Sequence, residues 1–191
     1  MKALQKASQE VEADFELWYL DGVRFDLLPV SRGMWHRKGH RLFIPTPGKN
    51  VRVAVCGAYR YPQGPFRFSH GPKSVNTILF LGVVDQLERR SQQTGKRIRL
   101  VLDNASAFRQ SKRACAALEK ARPWIKPFWL PTYTSEKLNR IEGIWGHLKD
   151  DFFSRMLVKR RELFSEACVK LLRRLHRQGN LQKLFGSNLP T

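Results

Sequence analysis

Acid is short in this chain against its base: 16 Asp and Glu stand against 35 Lys and Arg, a formal charge of +19 over 191 residues. So basic a balance argues against a cationic partner and marks a binder of polyanions. Nucleic acid comes first, with an anionic membrane surface or a ribosome as the other readings. Cysteine is scarce too. Cys56, Cys115 and Cys168 are odd in number and far apart. That excludes a disulfide framework and a cysteine zinc site, and fits reduced side chains in a cytosolic protein. The five histidines make no zinc pattern. No apolar run reaches the about 18 residues of a membrane span; the longest, Ile78 to Val84, is interrupted by Gly82. The first residues, Met1-Lys2-Ala3-Leu4-Gln5-Lys6, lack the apolar stretch of a signal peptide. Internal repeats, low-complexity tracts and a dividing linker are missing as well, so residues 1–191 read as one domain with a real core.

What is present changes character midway. Residues 1–13 are polar with helical character. Residues 15–21 and 24–30 are apolar-rich runs joined by Asp21-Gly22, which reads as a hairpin. Residues 31–40 form a basic loop. Short strands are expected at 41–45, 51–58 and 65–70, set off by Pro45, Pro47, Gly48, Pro62 and Gly64. A helix is expected over 73–94, stopped by Gly95, then a short apolar-rich strand over 97–103. A second helix at 108–121 stops before Pro123, and a strand follows at 125–130. Over 136–157 the spacing of Leu138, Ile141, Trp145, Leu148 and Phe152 predicts one long helix with a buried stripe. A last amphipathic helix spans 160–178. It turns Phe164, Ala167, Cys168, Leu171, Leu172 and Leu175 inward and Lys170, Arg173, Arg174 and Arg177 outward. Antiparallel strands followed by alternating helix and parallel strand predict an α/β mixed sheet flanked by helices.

In a chain so poor in acid, three carboxylates stand at the ends or edges of core elements. Asp103 closes the run Ile98-Arg99-Leu100-Val101-Leu102. It reads either as a loop-starting Asp or as a site residue at the carboxyl end of a parallel strand. Glu142 lies at the margin of the apolar stripe. It either pairs with Arg140 or Lys149 or looks into a cleft. Asp21, before Gly22, reads first as a turn residue and second as an acid at a strand end. Converging acids hold divalent metal, and a basic surround holds a polyanion.

Longer motifs narrow this. Val101-Leu102-Asp103-Asn104-Ala105-Ser106, then Leu130-Pro131-Thr132-Tyr133, then Leu138-Asn139-Arg140-Ile141-Glu142-Gly143-Ile144-Trp145-Gly146-His147-Leu148-Lys149, resemble the catalytic domain of mariner-type DDE transposases, nearest the bacterial insertion-sequence 630 branch. Trp18-Tyr19-Leu20-Asp21, with Arg32-Gly33-Met34-Trp35 and Lys38-Gly39 following, resembles that family's first acidic strand and its Trp-containing loop. The resemblance covers residues 15–155.

It implies a ribonuclease H-like fold in which Asp21, Asp103 and Glu142 bind metal. Oxygen donors of this kind suit Mg²⁺ or Mn²⁺, with two ions expected. The implied reaction is phosphodiester cleavage at transposon ends and strand transfer into target DNA. Asn104 is a candidate for positioning Asp103 or a metal-bound water, or an ordinary turn residue; Asn139, one turn before Glu142, is a helix-start residue or a second support. Arg32, Trp35, Arg37, Lys38, Lys112, Arg113, Lys159, Arg160 and Arg161 are candidate contacts to double-stranded DNA, or solvated charges. The chain departs from the family at Gly22, where a second acid often stands, and at Phe108, where a His often follows. Thr132, Thr134, Ser135 and Arg140 take the places of Pro, Ser, Pro and Pro. Lys137 reads as an insertion, and 38 residues separate Asp103 from Glu142. Residues 1–14 hold no helix-turn-helix. The expectation is therefore a catalytic half that works as a homo-oligomer on DNA with a separate helix-turn-helix half. It would sit in the bacterial cytoplasm at the nucleoid and away from membranes. A degenerate or repurposed DNA-binding module of the same fold, or a related ribonuclease H-like nuclease, is the alternative.

Overall fold

Strand β1 (Phe15–Asp26) forms the middle of a five-stranded sheet. In this computed structural model the described residues are 14–27, 38–39, 50–62, 64–132, 134–153 and 161–179, excepting the side chains of Glu136, 151–153 and 161–162. The strands β2 (Arg52–Arg60), β3 (Phe66–Pro72), β4 (Arg97–Leu102) and β5 (Ile125–Trp129) complete the sheet in the order β3-β2-β1-β4-β5. β1, β2 and β3 pair antiparallel, while β4 and β5 run parallel to β1. The mixed sheet expected from element order is what forms.

Two apolar layers cover the sheet because alternate residues of each strand point to opposite faces. On one face Trp18, Leu20, Cys56, Ile98, Leu100, Leu102 and Ile125 meet α1 (Thr77–Thr94), α2 (Ser106–Arg109) and α3 (Lys112–Lys120). On the other, Leu17, Tyr19, Val23, Phe25, Val53, Val55 and Val101 meet α5 (Ile141–His147) and α6 (Arg161–Gln178). The short α4 (Ser135–Leu138) precedes α5, and a π-helical turn, Leu148–Phe153, follows it. In α6 Phe164, Cys168, Leu171, Leu172 and Leu175 are buried as expected, while Ala167 is only half-buried.

Four expectations are corrected. Asp21-Gly22 is no hairpin turn: β1 runs unbroken through it and pairs with β2 from Trp18 to Asp26. Gly22 faces Val75, whose Cγ1 lies 2.7 Å from where a Cβ would stand. A larger residue would collide there. The long helix at 136–157 is broken at Asn139, whose backbone is extended (φ −85°, ψ 102°). The helix at 108–121 is two pieces, and Ser111 caps the second by accepting from the Ala114 N–H at 3.4 Å. The helix expected over 73–94 starts only at Thr77, capped by Asn76, and ends at Gly95 in the left-handed region (φ 69°). Phe108 stacks on Phe80, with ring centroids 4.8 Å apart, and serves the core. The predicted elements at 1–13 and 41–45 lie outside the described residues.

Helix α1 is tied to the sheet by one buried acid. Glu16, 5% exposed, accepts from Arg90 at 2.7 and 2.8 Å, from the Trp18 indole at 2.9 Å and from Arg60 at 3.2 Å. Burial by itself raises its carboxyl; the bonds from Arg90 and Trp18, with the charges of Arg90 and Arg60, outweigh this and hold it below the ordinary 4.5. Removing one partner of a buried ion pair strands the other. Glu16→Ala should therefore cost about 3 kcal/mol in urea unfolding at neutral pH. A carboxyl held low stabilises above its ordinary pKa and loses that contribution as pH falls. The difference between wild type and variant should shrink below about pH 4. A difference independent of pH would mean that Glu16 acts through packing alone.

Candidate active site

Strand parity brings Asp21 to the face where α5 lies. Leu17, Tyr19, Val23 and Phe25 all belong to that layer, and Asp21 shares their alternation. Directly across the ladder stands Gly57. On the other side β4 runs parallel, with Leu20 beside Leu102. The next residues along, Asp21 and Asp103, therefore come out side by side. Asp103 has just left β4, and its Oδ1 accepts from the Ala105 N–H at 3.2 Å. It is a loop-starting Asp and an acid at a strand end at once.

Glu142 comes from the third direction. It lies half-buried in the first turn of α5, which packs on β1. The preceding residues set that helix in place. Asn139, 2% exposed, donates its side-chain Nδ2 to the carbonyl of Leu20 at 3.1 Å, and its own carbonyl accepts from the Glu142 N–H at 3.1 Å. The break in the expected long helix thus joins the residue before Asp21 to the residue that carries the third acid. Oδ1 of Asn139 is buried without a protein partner.

The electrostatics report the convergence. The Asp21 carboxyl, 7% exposed, is pushed up from 3.8 to about 7. Burial is the main cause, and the nearby charges of Glu142 and Asp103 add to it. The N–H groups of Gly22 and Trp145 pull the other way. Burial also raises Asp103, against the bond from Ala105. The buried Cys56 thiol on β2 is raised by burial and by the fields of Asp21 and Asp103. An acid whose ionisation is opposed by burial and by two neighbouring carboxylates suits a hard divalent cation, whose charge would relieve the repulsion on Asp21. Among the described residues no group of three or more His, Cys, Asp or Glu forms a ready cage for an ion; the acids share a field.

The supporting residues divide. Asn104 does not bond Asp103: it donates to the Leu130 carbonyl at 2.6 Å and accepts from Arg109. It ties the loop after β4 to the end of β5. Arg109, an exposed cation 5.5 Å from the Trp129 ring centroid, was missed in the sequence. So was the polar role of Trp145, whose Nε1 donates to Asp21 Oδ2 at 3.1 Å. Its place in an apolar stripe hid it; the signal was that a buried indole N–H needs an acceptor. Lys38, Lys112 and Arg113 are exposed, the last two in the first turn of α3. Arg161 opens α6. Arg32, Trp35, Arg37, Lys159 and Arg160 lie outside the described residues.

A family model described as DDE superfamily endonuclease matches residues 16–164. The insertion element IS630 uncharacterized 39 kDa protein of Shigella sonnei is 27% identical over 150 residues, covering 78% of this chain and 42% of that protein. Among solved structures, the Mos1 transposase paired-end complex with left transposon end superposes with a TM-score of 0.63 at 11% identity. That match covers 90% of this chain and 52% of the other. The Mos1 mariner paired end complex with Mn gives 0.59 at 12% identity, covering 91% and 52%. These likenesses show a ribonuclease H-like fold, and the chain spans about half the length of the proteins it matches or less.

A carboxyl raised from 3.8 to about 7 binds its proton more tightly folded than unfolded. Its stabilising contribution is full below the ordinary value and is lost as pH rises to about 7. Asp21→Asn should thus melt close to wild type near pH 4. In chelator at pH 8 it should melt higher by about 5 °C or more. Equal melting temperatures at both pH values would refute a strained Asp21.

Proposed function

The chain belongs to the DDE superfamily endonucleases, and from that premise we propose that it is a transposase catalytic domain cleaving DNA at transposon ends. The observation that carries this reading is the convergence of Asp21, Asp103 and Glu142, from two parallel strands and a helix, on one patch of the sheet. Asp21, Asp103 and Glu142 would hold Mg²⁺ or Mn²⁺, two ions in the full reading. When bound, the metal supplies a more nucleophilic oxygen and a stabilised leaving oxygen. The chain's own residues do the rest. Asn139 and Trp145 hold α5 against β1, so Glu142 faces Asp21. Asn104 and Arg109 fix the loop that carries Asp103. In hydrolysis a water oxygen forms the new bond to phosphorus, the bond from phosphorus to the 3′ oxygen breaks, and that oxygen leaves as a hydroxyl. Strand transfer repeats the exchange with the 3′-hydroxyl as nucleophile.

The substrate is double-stranded DNA, and the charge of +19 supports it. Support also comes from the solved relatives, which are described as transposase complexes with transposon ends. Lys38, Lys112, Arg113 and Arg161 are assigned to phosphate contacts, together with Arg32, Trp35, Arg37, Lys159 and Arg160. Recognition of end sequences is assigned to a separate helix-turn-helix region, and the working form to a homo-oligomer on DNA. The catalytic fold is assigned to the whole chain as one domain in the bacterial cytoplasm, at the nucleoid. No helix among the described residues is long and apolar enough to cross a membrane.

Nicking of supercoiled plasmid should need Mg²⁺ or Mn²⁺, stop in chelator, and fall at least about 100-fold in Asp103→Asn and in Glu142→Gln. Binding without nicking, equal in all three proteins, would leave a degenerate or repurposed DNA-binding module, or a catalytic half that is silent without its partner. Affinity for a random duplex should fall steeply with salt, by roughly 10³-fold or more between 50 and 200 mM. A flat dependence would remove the polyanion reading.

A further inference from the structure

Trp145 is more than core. Its indole lies in a seat built from three strand positions of the same face. Phe25 meets it edge-on with ring centroids 6.2 Å apart, and Phe66 does so at 5.8 Å. The floor is Gly57, the residue opposite Asp21 across the ladder. A Cβ there would lie 2.5 Å from Cη2 and 2.8 Å from Cζ2 of the indole. Glycine is therefore the side chain that lets the ring settle onto the strand. Seated there, with 1% of its surface exposed, Trp145 sends its N–H to Asp21 Oδ2 at 3.1 Å. It also stands three residues after Glu142 in α5, one helical turn along. One side chain thus fixes the orientation of the Asp21 carboxylate and the height of the Glu142 helix above it.

We propose that Trp145, seated on Gly57, is a positioning residue for the metal-binding acids, setting ion affinity through Asp21 without itself touching an ion. The physical reason is general. A carboxylate that binds a cation spends less on ordering when an outer hydrogen bond already holds its plane, and losing such a partner weakens metal binding about 10- to 100-fold. The seat serves that bond: apolar walls deny the indole N–H any competing water, so Asp21 is its acceptor. The inference rests on the reading of Asp21, Asp103 and Glu142 as metal ligands.

The test is direct Mn²⁺ binding, followed by the paramagnetic resonance signal of the free ion, on chelator-treated protein without DNA. Trp145→Phe keeps an aromatic ring and loses the N–H. Its affinity should fall at least about 10-fold. Trp18→Phe is the control, since it also removes a buried indole N–H, one that donates to Glu16. It should lower the melting temperature and leave Mn²⁺ affinity unchanged. Should Trp145→Phe fail to fold, benzothienylalanine at position 145 keeps the ring shape with sulfur in place of N–H and gives the same comparison. Mn²⁺ affinity unchanged at position 145, but lost in Asp103→Asn, would overturn the positioning role and spare the metal site. No binding by wild type, or binding indifferent to both Asp21→Asn and Asp103→Asn, would overturn both.

Discussion

A carboxylate stands in the middle of a buried strand because an indole N–H and a backbone N–H meet it there. Much of the site's arrangement depends on that meeting. Asp21 interrupts a row of apolar side chains on one face of β1, where an unpartnered acid would be costly. Trp145 can reach it only because Gly57, across the ladder, leaves the space. Helix α5 is then held near enough for Glu142 to act on Asp21. Asn139 adds the second tether, from the break before α5 to the strand residue before Asp21.

The site is expensive for the fold. Burial and two neighbouring acids raise Asp21 to about 7, so near neutral pH the folded protein bears a carboxyl it would rather protonate. A cation's charge beside Asp21 would relieve strain of this kind. The counterweight lies elsewhere. Two apolar layers sandwich the sheet, and Glu16, satisfied by Arg90, Arg60 and Trp18, ties α1 to β1 and β2. Two buried acids on one strand thus do opposite things. Glu16 is held low by its bonds to Arg90 and Trp18 and by nearby cations, and steadies the sheet; Asp21 is held high by burial first and by its neighbouring acids second.

Much of the fold was legible before the structure. Short apolar runs set off by Pro and Gly located β2 and β3, apolar runs located β4 and β5, and Gly95 marked the end of α1, because these signals act locally. Asp103 and Glu142 stood out because acids are rare in this chain and both lie at element boundaries. Asp21 was misleading: Asp-Gly is a turn signal, yet pairing along the whole of β1 carried the strand straight through it. The helix at 136–157 was read as continuous because its apolar spacing is continuous, and sequence alone does not say that Asn139 leaves the helix to bond Leu20.

By itself, then, the sequence determined the alternation of strands and helices, the excess positive charge and which carboxylates stood apart. These follow from side-chain periodicity and composition, which are properties of neighbours along the chain. Only the tertiary structure decided that Asp21 is a mid-strand acid, that Asp103 lies beside it, and that Glu142 and Trp145 descend on the pair from one helix. Those relations join residues 82 positions or more apart from Asp21, through a parallel crossover and a glycine that makes room for an indole. No local pattern encodes a contact that exists only once the sheet has formed.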